Sequence, residues 1–184
     1  MKSDTDNRRD NSVTDDRGRM LTGMFPDRES TENAYRTLDE RGYTTDDINL
    51  LMSDDTRKKH FSKGDTEIGN KALEGAGTGS AIGGAVGAAV GIIAAIGTSV
   101  LIPGLGLVIA GPLAAGLAGA GAGGLTGGII GALVGSGIPE ERARLYEKGI
   151  KKGKVVMGVR PRNEEDAEYF RNEWTSRKAE EVHY

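Results

Sequence analysis

The chain has 184 residues, a formal charge of -3 at neutral pH and no cysteine. That length fits one modest domain with something added, and the mild acidity gives no electrostatic footing for nucleic acid. The missing thiols exclude disulfides, thiolate metal centres and cysteine nucleophiles, and they suit a reducing compartment.

Residues 1–19 are polar and charged with no apolar core segment, so they read as a disordered tail rather than a signal peptide. Residues 20–53 read as a strand, helix, strand unit. Met20 to Phe25 suit a strand, and Asp27 can cap a helix whose apolar face carries Ala34, Tyr35 and Leu38. Gly42 can end that helix just beyond its C-cap, and DINLLMS, ending at Ser53, gives the second strand. Residues 54–74 read as a linker.

From Gly75 to Pro139 there is no Asp, Glu, Lys, Arg or His. Gly75, Gly79, Gly83, Gly87 and Gly91 recur at every fourth position, and Gly119, Gly123, Gly127, Gly131 and Gly135 repeat the step after LIPGLGLVIAGP. Glycine inside a helix costs roughly 1 kcal/mol against alanine, so a row of them implies close helix contacts that offset the loss. The pattern predicts a glycine-zipper helical hairpin over 75–137, with those ten glycines as helix-packing residues. Two helices of roughly 25 residues would each be just under 40 Å long, enough for a hydrocarbon core of about 30 Å. The apolar turn, with Leu101, Ile102, Leu105, Leu107, Val108 and Ile109, and cations on both flanks favour a membrane hairpin with both ends cytoplasmic. A soluble hairpin buried in an oligomer is the alternative.

Residues 138–153 predict a connecting helix. Pro139 suits its first turn, Glu140 and Glu141 its positive end, Lys151 and Lys152 its negative end, and Leu145, Tyr146 and Ile150 its buried face. Residues 154–184 repeat the first unit: a strand at Lys154 to Val159, Asn163 and Asp166 capping a helix that carries Ala167, Phe170 and Trp174, and a short strand in EEVHY. Two such halves predict an α+β fold, a ferredoxin-like βαββαβ module. Its four antiparallel strands would carry both helices on one face, with the hairpin and the extra helix inserted between the second and third strands and contributing no strand.

Three blocks in order, MFPDRESTENAYRTLDERGYTTDDINLLM, KALEGAGTGSAIGG and GIPEERARLYEKGIKKGKVVMGV, resemble the bacterial general-stress and heat-induced stress protein family. The resemblance runs from Leu21 to Val159 and implies a stress-linked bacterial protein. It brings no reaction, substrate or catalytic residue with it.

No catalytic, cofactor-binding or metal-binding residue is expected from the sequence. GAGAGG at Gly119 to Gly124 has the spacing of a dinucleotide loop, but no strand precedes it and it sits inside the longer glycine repeat. His60 and His183 lack a partner at metal-ligand spacing, and the pairs Asp46 and Asp47, Asp54 and Asp55, Glu140 and Glu141 sit where carboxylates cap amides. Lys151, Lys152 and Lys154 are candidate contacts for anionic lipid headgroups, at about 1 kcal/mol each near a charged leaflet. Tyr169, Phe170 and Trp174 have the chemistry of a base-stacking platform, but a helical core face explains Phe170 and Trp174 more simply.

The expected function is that of a non-enzymatic stress-response protein without cofactor. A self-associating hairpin would hold it at the cytoplasmic side of the bacterial inner membrane, with lipid and further copies of itself as partners. A soluble cytoplasmic oligomeric scaffold and a small-ligand-binding regulatory domain are the alternatives.

Overall fold

The computed structural model describes residues 19–61, 99–102, 106–114 and 128–184. In chain order these form β1 (Leu21–Phe25), α1 (Arg28–Glu40), β2 (Ile48–Ser53), α2 (Asp54–Phe61), β3 (Ser99–Ile102), β4 (Leu107–Ala110), α3 (Gly128–Gly135), α4 (Glu140–Lys151), β5 (Val155–Val159), α5 (Glu164–Ser176) and β6 (Glu180–His183). The six strands make one antiparallel sheet in the order β3-β4-β2-β5-β1-β6.

The inner strands β4, β2, β5 and β1 are buried on both faces, and helices cover both. Alternate residues Leu21 and Phe25, Ile48, Leu50 and Met52, and Val155, Met157 and Val159 share a cluster with Ala34, Tyr35 and Leu38 of α1 and Phe170 and Trp174 of α5. The intervening residues Met24, Leu51 and Val156 face the other way. They share a second cluster with Ile129 and Leu133 of α3 and Ala143, Tyr146 and Ile150 of α4. An antiparallel sheet more often leaves one face wet. Here α3 and α4 make the third layer.

Helix ends follow the chemistry of their termini. Asp27 caps α1 by accepting from the Ser30 amide at 2.7 Å, and Asn163 caps α5 by accepting from the Asp166 amide at 2.8 Å. Gly42 (φ +72°) follows the C-cap of α1, where the Gly42 amide donates to Asp39 O and the Tyr43 amide to Leu38 O. This doubly bonded C-terminal turn needs a left-handed residue. Alpha-5 ends in a related way with Lys178 in that position at φ +66°.

Several expectations are corrected. LIPGLGLVIAGP is no helical turn: most of it builds the β3–β4 hairpin, and β4 pairs with β2 from Leu50↔Ala110 to Ser53↔Leu107. The stretch predicted to add no strand therefore adds two, and the sheet has six strands rather than four. Three apolar residues before a glycine-containing turn and four after it are as good a strand pair as a helix interruption, and β2 offered them an edge to pair with. The expected linker at 54–74 opens with α2, because Ser53 accepts from the Thr56 amide and Asp54, Asp55, Lys58 and Lys59 complement the helix dipole. Leu145 does not face inward but is 40% exposed, since α4 buries Ala143, Tyr146, Gly149 and Ile150 instead.

Candidate functional site

Two groups of buried polar residues hold the fold at its seams. The first joins the end of α1 to the start of α5. Tyr43 is 1% exposed and donates its hydroxyl to Asp166 at 2.7 Å, while its oxygen accepts the Arg162 amide at 2.7 Å. Arg41 donates to the other Asp166 oxygen at 2.6 Å and lies over the Tyr169 ring, 4.0 Å from its centre. Arg162 lies over the Tyr43 ring and donates to Gly42 O at 2.8 Å. Burial pushes the Asp166 carboxyl up, but hydrogen bonds from Tyr43 and Arg41 and the nearby Arg41 and Arg162 charges outweigh it and hold the group below its usual range. Burial, reinforced by the bond to Asp166, pushes the Tyr43 phenol up to about 12.

The second group sits under α4 and beside β4. Tyr146 is fully buried and lies 2.7 Å from the Thr22 hydroxyl and 3.0 Å from Glu181 O, tying α4 to β1 and β6. Burial raises its phenol to about 12. Asn49 on β2 is 1% exposed, accepts the Leu113 amide at 2.8 Å and reaches Gly158 O at 3.4 Å. It fixes the chain where it leaves β4. Gly111 makes that exit at φ +92°, with room only for hydrogen: a Cβ would stand 2.0 Å from Ile48 O.

Each of these polar groups is bonded to a partner within its own seam. No group of three or more His, Cys, Asp or Glu fit to hold a metal occurs among the described residues. Asp47 accepts from the Thr44 amide and Asp54 pairs with Arg57 and Lys58, as capping and surface pairs. His60 is exposed, and His183 lies 3.1 Å from Glu181. Phe170 and Trp174 are fully buried, Trp174 edge-on to Phe25, so they offer no stacking platform. Among the three candidate lipid-contact lysines, Lys151 pairs with Glu147 at 3.0 Å and Lys154 with Glu180 at 2.5 Å; Lys152 is exposed.

Of the ten helix-packing glycines, Gly75, Gly79, Gly83, Gly87, Gly91, Gly119, Gly123 and Gly127 lie outside the described residues, as does GAGAGG at 119–124. Gly131 and Gly135 lie in α3, which buries Ile129, Ala132 and Leu133; Gly135 is exposed, with nothing within 4 Å of where a Cβ would be. No helix among the described residues is long and apolar enough to cross a membrane.

Sequence reasoning missed Tyr43, Asp166 and Asn49 as partners. Tyr43 directly after the C′ glycine and Asp166 at the third position of α5 are the signals that existed, but 123 positions separate the pair in the chain. No family model, curated protein or solved structure matches this chain.

Proposed function

We propose that this protein is a non-catalytic, self-associating scaffold, and that its uncharged stretch at 75–139 is the means of assembly. The observation that carries it is where that stretch lies. Its described parts, β3, β4 and α3, form one flank of the folded unit, and they place Leu101 (50% exposed) and Val134 (42% exposed) on the surface. Leu101 stands on β3, the outermost strand of the sheet among the described residues, where an exposed apolar side chain suits contact with another chain. Among the described residues, the buried polar side chains Tyr43, Asp166 and Tyr146 are engaged in holding the seams.

A membrane-spanning hairpin fits this layout less well. Its tip belongs within the lipid or just across it, whereas most of the residues expected there lie in β3 and β4. Both Ala114 and Ile129 belong to one buried cluster, and thirteen residues, 115–127, separate Ala114 from Gly128 in the chain. The uncharged residues that precede β3, 75–98, number 24. A double pass needs about 40 helical residues.

Strands β2-β5-β1-β6 with α1 and α5 on one face we take as a ferredoxin-like unit, extended at its β2 edge by the hairpin. The link to bacterial stress rests on the family resemblance alone. Sedimentation of the full chain with and without liposomes tests assembly: defined oligomers that stay with the aqueous fraction are expected. A strict monomer refutes the scaffold, and flotation with the vesicles reinstates the membrane hairpin.

A further inference from the structure

We propose that β3 is the assembly contact: two copies join edge to edge, β3 antiparallel to β3, running their sheets into one about a twofold axis. This rests on the self-associating scaffold above and names its surface.

The two edges of the sheet differ. Beta-6 is guarded: it carries Glu180 and Glu181, Glu181 stands at φ +50°, and its register with β1 shifts between Thr22 and Met24. Charges and bulges of this kind keep an edge from pairing with another chain. Beta-3 has neither. Its sequence is Ser99-Val100-Leu101-Ile102, its register with β4 is unbroken over four residues, and β4 is its only strand partner among the described residues. Leu101 is the most exposed large apolar side chain among those residues. Ile102, by contrast, is buried in the cluster beneath α3 and α4, so the strand is held from one face, and among the described residues no strand pairs with its outer edge.

An open edge accepts an extended, uncharged strand that lacks a partner of its own. A second β3 has those properties. A twofold pairing also presents the same patch from both sides, and the absence of any charge from 75 to 139 means that no like charges meet. Antiparallel pairing about an axis through the sheet keeps α1 and α5 of both copies on one side. It is centred on Val100 or Leu101, which leaves the two Leu101 Cα atoms within about 10 Å of each other. Four residues of edge fall short of the ~1,200 Å² of a standard interface, so the contact is weak, with a Kd in the micromolar range or above.

The test uses the full chain. Sedimentation velocity over a rising concentration series is expected to show dimer growing in for the parent, at least tenfold weaker association for Leu101→Lys, and parental behaviour for Val134→Lys, a change at an exposed apolar residue on α3 rather than on β3. The chain has no cysteine, so Leu101→Cys adds a lone thiol that should cross-link copy to copy under mild oxidation, whereas Val134→Cys should not. The cross-link decides the matter if Leu101→Lys unfolds. A parent that associates while Leu101→Lys associates equally well, or while Leu101→Cys fails to cross-link, overturns the edge contact and leaves the scaffold standing. A parent that stays monomeric at every concentration overturns both.

Discussion

Replacing Gly111 with alanine tests whether the uncharged stretch is built into the sheet. Gly111 stands at φ +92°, and a Cβ there would lie 2.0 Å from Ile48 O and 3.1 Å from Asn49 Cα, both backbone atoms of β2. Alanine in a left-handed conformation costs about 1–2 kcal/mol. Relieving the collision means moving β4 away from β2, which strains the Asn49 bond to the Leu113 amide, and leaving such a buried group unpaired costs about 1–3 kcal/mol. With the overpacking itself, about 1–3 kcal/mol, the total is about 3–8 kcal/mol, or a melting temperature lower by about 10–30 °C for a chain of this size. Two controls separate the causes. Gly137 has φ +89° with nothing within 4 Å of a Cβ, so Gly137→Ala carries the conformational cost alone, about 1–2 kcal/mol. Gly135 has neither a left-handed φ nor a neighbour, and Gly135→Ala should be neutral or slightly stabilising. Urea unfolding of the three full-length variants gives the order Gly111→Ala, Gly137→Ala, Gly135→Ala from worst to best. If Gly111→Ala is no worse than Gly137→Ala, β4 is not docked on β2 and β3 is not an edge of this sheet.

Tyr43→Phe removes the hydroxyl shared between Asp166 and the Arg162 amide and should cost about 2–4 kcal/mol; a double-mutant cycle with Asp166→Asn should show coupling of at least ~0.5 kcal/mol, and additive losses would disprove the shared bond. Tyr43 and Tyr146 both have phenols raised to about 12 from 10.0, so the stability they contribute is full below pH 10 and lost as the pH rises through 12. About 2–3 kcal/mol per tyrosine should disappear over that range, read by denaturant unfolding at each pH, and Tyr146→Phe should flatten the decline. Gly149→Ala would put a Cβ 1.9 Å from Met24 Sδ, so it should destabilise by about 1–3 kcal/mol, and Met24→Ala in the same chain should relieve the clash; equal cost in both backgrounds would mean that α4 does not pack there. Lys178→Gly should stabilise by about 1 kcal/mol in thermal melts, because Lys178 holds a left-handed φ of +66° that glycine adopts freely.

Local signals in the chain were enough for β1, α1, β2, α4, β5 and α5. Asp27, Gly42 and Asn163 satisfy amides and carbonyls within four residues of themselves, and Ala34 and Leu38 or Phe170 and Trp174 recur at helical spacing. Such features depend only on neighbours along the chain, so they can be read from it. The absence of charge from 75 to 139 was likewise legible and marks a stretch suited to apolar surroundings. What covers it was undecided locally: Leu107 to Ala110 are short enough and apolar enough for a strand, a helix end or a turn. The choice went to a strand because β2 presented an unpaired ladder of amides and carbonyls, and pairing with it buries Leu107 and Ile109 under α3 and α4. The partners of Tyr43, Asn49 and Tyr146 were invisible for the same reason. Asp166, Leu113 and Thr22 lie 123, 64 and 124 positions away from them, and only the folded sheet brings those atoms within 3 Å. The chain alone determined which segments form helices and strands and which stretch suits apolar surroundings; the tertiary structure decided which edge the uncharged stretch joined, because hydrogen-bond pairing and burial between distant residues have no signature in either one taken singly.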